Sequence, residues 1–414
     1  MAELFTGFNH SVSLNAWIDE IENTLPGGKS LADLTWKPER KLAVAPVVNS
    51  LPPGRDYQSL VGHDSAIMVC DHLRSESTES ILDAATHALA QGSSAIEIDA
   101  HQLHDLSADI SSISGLSVFV VCTERSEWES VMAECRKDGF ATANDQVHVF
   151  YDPFSAPLNH EKTVTRTELS SLVKTGLELR SKSTGSLWSA DVSCNAIQHA
   201  SFVTRTAYVL AAVSSVFQEI AGQGIEFPSG RSLLRIVWPV GNTFVLEIAA
   251  LRALRLLIPQ ILESIFDVPV DGIPVPIHAT NYKGNVFDAD QKTGTHGRLI
   301  ACSLQGTVAI ISGCQSLCLH LSPGEERTVN ADETRRWLRN IPLILKYEGM
   351  LHSTTDPLAG AYVVEELTDQ VSVQSWKVFL EVEAAGGLET QAGRDIIRAE
   401  CASDAAVALK GKRG

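Results

Sequence analysis

Short apolar runs rich in β-branched residues alternate with helix-like segments along most of the chain. Four of these runs are Ser65–Cys70, Ser94–Asp99, Leu116–Cys122 and Gln146–Tyr151. Roughly eight strand–helix units occur, which is the number that closes a parallel barrel. The runs are continuously apolar, as is typical of a sheet covered on both faces. The pattern predicts an α/β protein with a TIM (β/α)8 barrel, although an open, doubly wound sheet would show the same alternation.

Helix-like segments that do not follow the strand–helix alternation lie at both ends of the chain. Leu14–Thr24 has amphipathic spacing, and Leu367–Ala384 and Arg394–Leu409 come after the last strand-like run. We therefore expect three parts: an N-terminal helical arm for subunit contact (residues 1–40), the barrel (residues 41–360) and C-terminal helices that pack on the barrel (residues 361–414).

The charge of the chain excludes several classes of partner. Its formal net charge is -17, so a nucleic acid or an anionic membrane surface would repel it. No basic region with an apolar run opens the sequence, and no apolar segment reaches the ~18 residues that a spanning helix needs. The cysteines are scattered, which is typical of small buried apolar residues in a reducing compartment. These features predict a cytoplasmic protein.

Several motifs occur in an order that is shared with a known family. Near the C-terminus stands DPLAGAYVVE (Asp356–Glu365), followed by EAAGG. Upstream lie GNTF, RALR (Arg252–Arg255) and SGCQSL (Ser312–Leu317). In this combination and order they resemble the methylmalonyl-CoA mutase family, small-subunit branch. The segment KSLADL before Trp36 looks like the arm with which this family wraps its partner subunit.

The resemblance carries expectations about fold and function. The family has a barrel through which coenzyme A threads and a C-terminal domain that binds cobalamin. A small subunit is expected to form a heterodimer with a large, cobalamin-bearing subunit. With adenosylcobalamin held by that partner, the pair would interconvert methylmalonyl-CoA and succinyl-CoA. The resemblance also allows a homodimer when the chain is isolated.

Several family residues that carry chemistry have no counterpart in this chain. The cobalt-ligating DxHxxG motif is absent, and its nearest match, at residues 99–101, has His104 in place of the Gly. The family's GYH motif contains a His that donates to the thioester carbonyl, and Cys194 or Ala196 stands in its place. Thr295 stands where the family has an Arg.

These departures predict that the chain has no catalytic residues, binds no cofactor by itself and lacks the C-terminal cobalamin domain. Its expected role is to stabilise the large catalytic subunit. Two alternatives stay open: a stand-alone barrel that binds an acyl-CoA or another small ligand, and a barrel enzyme of new function.

Four residues are candidate ligand contacts because the pattern puts them at the barrel mouth, where barrel active sites form. They are Asp191, Cys194, Asn281 and Gln315. Turn capping is the simpler role for Asn281, and pairing with buried backbone groups is the simpler role for Gln315. No nearby His is spaced to activate Cys194 as a nucleophile.

No metal site is predicted. His101 and His104 follow a strand-like run and have a spacing that zinc sites use. The sequence places no third His beside them, so capping of the following helix is the preferred interpretation.

A charged group on one predicted helix has two interpretations. Arg252 and Arg255 share this helix with Glu247. The spacing indicates either a salt bridge between two barrels or a solvated helix face.

Overall fold

Eight parallel strands form the centre of the computed structural model, in the hydrogen-bonded order β4-β3-β2-β1-β8-β7-β6-β5. The structure describes residues 13–52, 67–73, 81–107, 116–137, 147–159, 164–180, 185–194, 197–225, 233–269, 275–281, 294–320 and 331–411. The strands are β1 (Met68–His72), β2 (Ala95–Asp99), β3 (Ser117–Val121), β4 (Val147–Phe150), β5 (Trp188–Asp191), β6 (Leu234–Val240), β7 (Ile277–Asn281) and β8 (Ser316–Cys318). The prediction of a TIM barrel is confirmed, and the open, doubly wound sheet is excluded because β1 pairs with β8.

The seam between β4 and β5 brings the sheet to near closure. The Val149 N–H donates to the carbonyl oxygen of Ser186 at 2.7 Å, and the Ser189 N–H donates to that of Tyr151 at 3.0 Å. Gly185 permits this approach, since a Cβ atom there would lie 1.7 Å from the Val147 carbonyl oxygen. A residue without a side chain is therefore required where the two halves of the barrel meet.

Helices surround the barrel. They are α1 (Leu14–Thr24), α2 (Ile81–Ala90), α3 (Leu103–Ser107), α4 (Arg125–Cys135), α5 (Ser155–Asn159), α6 (Arg166–Arg180), α7 (Phe202–Gly222), α8 (Phe244–Phe266), α9 (Gly294–Ile311), α10 (Ala331–Tyr347), α11 (Tyr362–Ala384) and α12 (Gln391–Gly411). Helix α7 begins where the Ser201 hydroxyl accepts a hydrogen bond from the Thr204 N–H. No helix in the described part of the chain combines the length and apolarity needed to cross a membrane.

Helix α7 is buried on nearly all sides, including its polar residues. It packs against α8 and against α11, the first helix of the C-terminal extension. A helix that is covered all round has no need of a polar face, which explains its long apolar sequence.

A buried ion cluster joins the extension to the barrel. The Arg252 guanidinium on α8 donates to Asp356, in the turn before α11, and to Glu365 on α11. The Gly360 N–H also donates to Glu365, at 3.0 Å. All three charged side chains are at most 2% exposed. Both interpretations from the sequence were therefore wrong for Arg252, which pairs inside its own chain.

The neighbouring charges on α8 also stay within the fold. Arg255 donates to the carbonyl oxygens of Ser312 at 3.1 Å and Val275 at 3.3 Å. Glu247 accepts from the Trp238 indole N–H at 2.7 Å and from the Gly241 N–H at 2.6 Å. The helix is thus fixed to the carboxyl end of strand β6 and to the segments before β7 and β8.

The N-terminal segment before the barrel is much more exposed. No residue of α1 is buried, and Leu34 and Trp36 are among the exposed large apolar residues. Further along, Glu39 accepts from the Phe202 N–H at 3.0 Å and so caps α7. This exposure agrees with a contact role for the segment but does not test it.

Candidate functional site

The carboxyl ends of the eight strands form the mouth of the barrel, and side chains alternate between its interior and the helix layer. Register places His72 beside Glu97, and Glu97 beside Phe119. On the opposite side, His278 lies beside Ser316. Because these residues point inward, they decide what can occupy the barrel axis.

Aromatic rings cross the axis below the mouth. Phe119 on β3 and His278 on β7 belong to opposite strands, yet their ring centroids are 5.0 Å apart. Phe150 lies 4.8 Å from His278 and 5.2 Å from Phe119, measured in the same way. Phe119 and His278 are fully buried. A contact between opposite walls means that side chains fill the barrel at this level.

Polar groups surround these rings. His278 Nδ1 lies 2.8 Å from Ser316 Oγ, and the guanidinium carbon of Arg235 lies 5.5 Å from the Phe119 ring centroid. Burial lowers the pKa of Arg235 to about 10. Burial likewise holds the pKa of His148 well below its ordinary value, and the charge of Arg235 lowers it further. The positive charge in the interior is therefore concentrated on the guanidinium.

A cluster of two imidazoles and a carboxylate lies at the mouth, above the rings. It consists of His72, Glu97 and His320, whose potential ligand atoms all lie within 4.8 Å of one another. Glu97 Oε1 lies 3.3 Å from His320 Nε2, and Glu97 Oε2 lies 3.2 Å from His278 Nε2. Glu97 and His320 are buried, whereas His72 is partly exposed.

Two thiols lie below the cluster, each two residues before one of its histidines. Cys70 on β1 and Cys318 on β8 are register partners and are both buried in the interior. Burial raises the pKa of Cys70 to about 11, so it is a thiol at neutral pH. Most of the cysteines are buried, and all are free thiols, in agreement with the interpretation from the sequence.

Asp191 and Cys194 lie at the carboxyl end of β5, as predicted. The Asp191 N–H donates to the Asp152 carboxylate at 2.7 Å. The Asp191 carboxylate accepts from the Ser193 N–H at 2.7 Å. Asp152 also accepts from the Tyr208 hydroxyl at 2.8 Å, and burial raises the pKa of Asp152 to about 7. Asp191 therefore shapes the turn after β5. Ala196 and most of the loop before Thr295 lie outside the described residues.

Asn281 ends β7 at the mouth, where it contacts backbone. Its side-chain amide donates to the His320 carbonyl oxygen at 2.9 Å and accepts from the His320 N–H at 2.7 Å. This pair of bonds fixes His320, two residues after β8, in line with the simpler, structural role.

The prediction that Gln315 lies at the mouth was wrong. It directly precedes β8 and therefore sits at the amino end of the barrel. Its side-chain oxygen accepts from the Ile277 N–H at 2.7 Å. The residue joins β7 to β8 at the floor, which is the role of pairing with backbone that the sequence had favoured.

His101 and His104 are both exposed and lie at the start of the helical segment after β2. His104 Nδ1 lies 3.1 Å from Glu134, and Asp99 forms a capping box with Gln102. Asp99 thus serves the helix start, and Glu134 contacts the His that replaces the motif's Gly. These residues do not fit a cobalt-ligating Asp–His pair, and we assign no cobalamin contact to them.

Comparison with known proteins agrees with the barrel and its motifs. The family profile for methylmalonyl-CoA mutase matches residues 156–411, which is more than half of the chain. The chain belongs to the methylmalonyl-CoA mutase family. It is 27% identical to the methylmalonyl-CoA mutase small subunit of Porphyromonas gingivalis over 94% of this chain and 65% of that protein. It is 28% identical to the methylmalonyl-CoA mutase of Rhizobium meliloti over 46% of this chain and 26% of that enzyme.

A probable methylmalonyl-CoA mutase small subunit of Mycobacterium tuberculosis is 26% identical over 45% of this chain and 30% of that protein. The chain thus spans between about a quarter and two thirds of the length of these family members. Within the chain, the family motifs hold the fold together: Arg252 pairs with Asp356 and Glu365, and Arg255 bonds the backbone of the SGCQSL segment.

Reasoning from the sequence missed the cluster of His72, Glu97 and His320. The three residues belong to separate strand–helix units, and none stands in a recognised motif. The available signal was the alternation of side chains along a strand, because residues two apart point to the same face. By that rule all three residues point into the barrel. Using that signal requires the register of three strands.

Proposed function

We propose that this chain is the small, non-catalytic subunit of a heterodimeric, adenosylcobalamin-dependent methylmalonyl-CoA mutase. In this proposal the large subunit binds the cofactor and interconverts methylmalonyl-CoA and succinyl-CoA in the cytoplasm. The small subunit stabilises its partner by covering part of its surface. The observation that carries the proposal is the packed barrel axis.

Coenzyme A needs an open path if its extended arm is to thread a barrel. The contact between Phe119 and His278 closes the path from wall to wall, and Phe150 packs against both rings. Opening the path requires removal of buried aromatic side chains, at about 3–5 kcal/mol for each Phe replaced by Ala. Binding of a thioester along the axis would have to offset that loss, which supports a chain that leaves the chemistry to its partner.

Exposed apolar side chains supply surface for a partner. Ile300 and Leu304 lie four residues apart on one face of α9, and Ile344 and Tyr347 lie three residues apart on α10. Helices α9 and α10 pack against each other. We propose that this face, together with the N-terminal arm (residues 1–40), contacts the large subunit. The barrel (residues 41–360) and the C-terminal helices (residues 361–414) would then act as one rigid support.

Turnover measurements test the proposal. With adenosylcobalamin and methylmalonyl-CoA, we expect no turnover by this chain alone and full turnover, with a one-to-one complex, when it is mixed with its co-expressed large subunit. Replacing Ile344 and Tyr347 by Asp should weaken complex formation on gel filtration. Val407→Asp, at an exposed position on α12, is the matched control. The proposal is contradicted by turnover of this chain alone, or by a large subunit that neither binds this chain nor changes its own turnover when the chain is added.

Two other functions are tested by the same samples. A stand-alone barrel, as a monomer or a homodimer, would bind an acyl-CoA without the large subunit, and calorimetry on the isolated chain detects such binding. A repurposed barrel enzyme is favoured by one observation, the mouth cluster of His72, Glu97 and His320.

A further inference from the structure

We infer that His72, Glu97 and His320 form a binding site for one divalent transition-metal ion of the zinc class. His72 ends β1, Glu97 lies on β2, and His320 follows the end of β8 by two residues; β2, β1 and β8 are consecutive around the barrel. Among the described residues, they are the group of His, Cys, Asp and Glu side chains whose ligand atoms converge. Two imidazoles and a carboxylate are the donor set of many zinc and iron sites that keep an open position.

The separation of two of the ligand atoms fits an ion between them. A tetrahedral ion with bonds of about 2.0–2.1 Å separates neighbouring ligand atoms by about 3.3 Å. Glu97 Oε1 and His320 Nε2 are 3.3 Å apart. This separation equals the edge of such a coordination tetrahedron, so one ion can be bound by both atoms.

The groups around the cluster orient its members. The other oxygen of Glu97 lies 3.2 Å from His278 Nε2, and His278 Nδ1 lies 2.8 Å from Ser316 Oγ. Asn281 holds the backbone of His320 through both its N–H and its carbonyl oxygen. Metal sites use such outer partners to fix the direction of each ligand. Here they hold Glu97 and His320 in place while leaving the third ligand adjustable.

His72 supplies that third ligand and the route of entry. Its ring centroid lies 4.5 Å from that of His320, and the residue is partly exposed at the mouth. A small rotation of a partly exposed ring brings its nitrogen to the ion, and the mouth side keeps a fourth position open. A water molecule or a ligand oxygen would occupy that position. The two imidazole ligands favour a transition metal over Mg²⁺.

Metal titration of the full-length chain tests this inference. Protein stripped with a chelator is titrated with Zn²⁺ against a chromophoric competitor, and with Co²⁺ for its visible absorption. We expect one equivalent to bind, with the intense Co²⁺ bands of a four-coordinate site. His72→Ala should lower the affinity by at least about tenfold, and the double variant His101→Ala/His104→Ala should bind as the wild type does.

Each outcome decides the inference. His72→Ala changes a partly exposed side chain, and His72→Gln provides a second variant of similar size should the first fail to fold. Glu97→Gln, judged by circular dichroism for its fold, should abolish the Co²⁺ bands. Absence of stoichiometric binding to the wild type, or binding that survives both His72 variants, overturns the site and leaves a hydrogen-bonded polar plug. Loss of binding in the His101/His104 variant instead would move the metal to the helix after β2.

Discussion

Replacing Arg252 by Met tests whether one buried cation ties the C-terminal helices to the barrel. Met keeps much of the apolar stem but removes the guanidinium, so Asp356 and Glu365 lose their shared cation while remaining at most 2% exposed. Removing one partner of a buried ion pair costs about 3–5 kcal/mol. Since this cation serves two carboxylates, we expect a loss of free energy of unfolding near the upper end of that range.

Urea unfolding, followed by far-UV circular dichroism and tryptophan fluorescence, measures this loss. Domains are stable by about 5–15 kcal/mol in total, so the midpoint should fall sharply. Arg136→Met is the matched control, because Arg136 pairs with Glu178 at 3.3 Å on the surface, where both side chains are about half exposed. An exposed pair contributes up to about 1 kcal/mol, so this variant should unfold nearly as the wild type does.

A triple variant distinguishes destabilisation by unpaired buried carboxylates from destabilisation by altered side-chain packing. Arg252→Met combined with Asp356→Asn and Glu365→Gln removes the buried charges together, and replacement of a whole buried ion cluster by neutral groups is often close to neutral in stability. We expect the triple variant to regain most of the loss. The reasoning is refuted if the single variant unfolds within about 1 kcal/mol of the wild type, or if the triple variant is no more stable than the single one.

Two further predictions concern the barrel seam and the cap of α7. Gly185→Ala should lower the free energy of unfolding by about 3 kcal/mol or prevent folding, because the new Cβ would overlap the Val147 carbonyl oxygen. Gly222→Ala is the control, since a Cβ there would have no atom within 4 Å. In urea unfolding this control should be neutral or slightly stabilising. Burial raises the pKa of Glu39 from 4.5 to about 7, opposed by its bond to the Phe202 N–H. Between these pH values the folded state binds the extra proton, so this group's contribution to stability falls as pH rises. Glu39→Gln should therefore gain stability relative to the wild type across that window, and a constant difference between the two would contradict the assignment.

The strand–helix alternation was enough to predict a parallel sheet covered by helices, but it did not decide whether that sheet closes into a barrel. The same periodicity produces open and closed parallel sheets, and the difference lies in which strands become neighbours. Here the pairing of β1 with β8 and the two hydrogen bonds across the seam decide it. These contacts join segments that are distant in the sequence and have no local signature. Gln315 was misplaced for a related reason, since its motif begins just before the strand and not at its end.

The ion cluster could not be read from helical spacing. Arg252 lies 104 and 113 positions from its two partners, so the pattern on α8 alone resembled a surface. The mouth cluster shows the same limit, because His72, Glu97 and His320 meet only once three strands are in register. Capping by Asp99 was predictable, since it depends on residues within one turn.

The barrel seam also coincides with the start of the family-profile match. The family match begins at residue 156, just past β4, so it covers the half with β5 to β8 and the C-terminal helices. Phe119 and Phe150, which block the axis, belong to the other half. We expect a search with the second half alone to collect mutases of every kind, whereas the first half should distinguish relatives with a filled interior from those with a continuous channel.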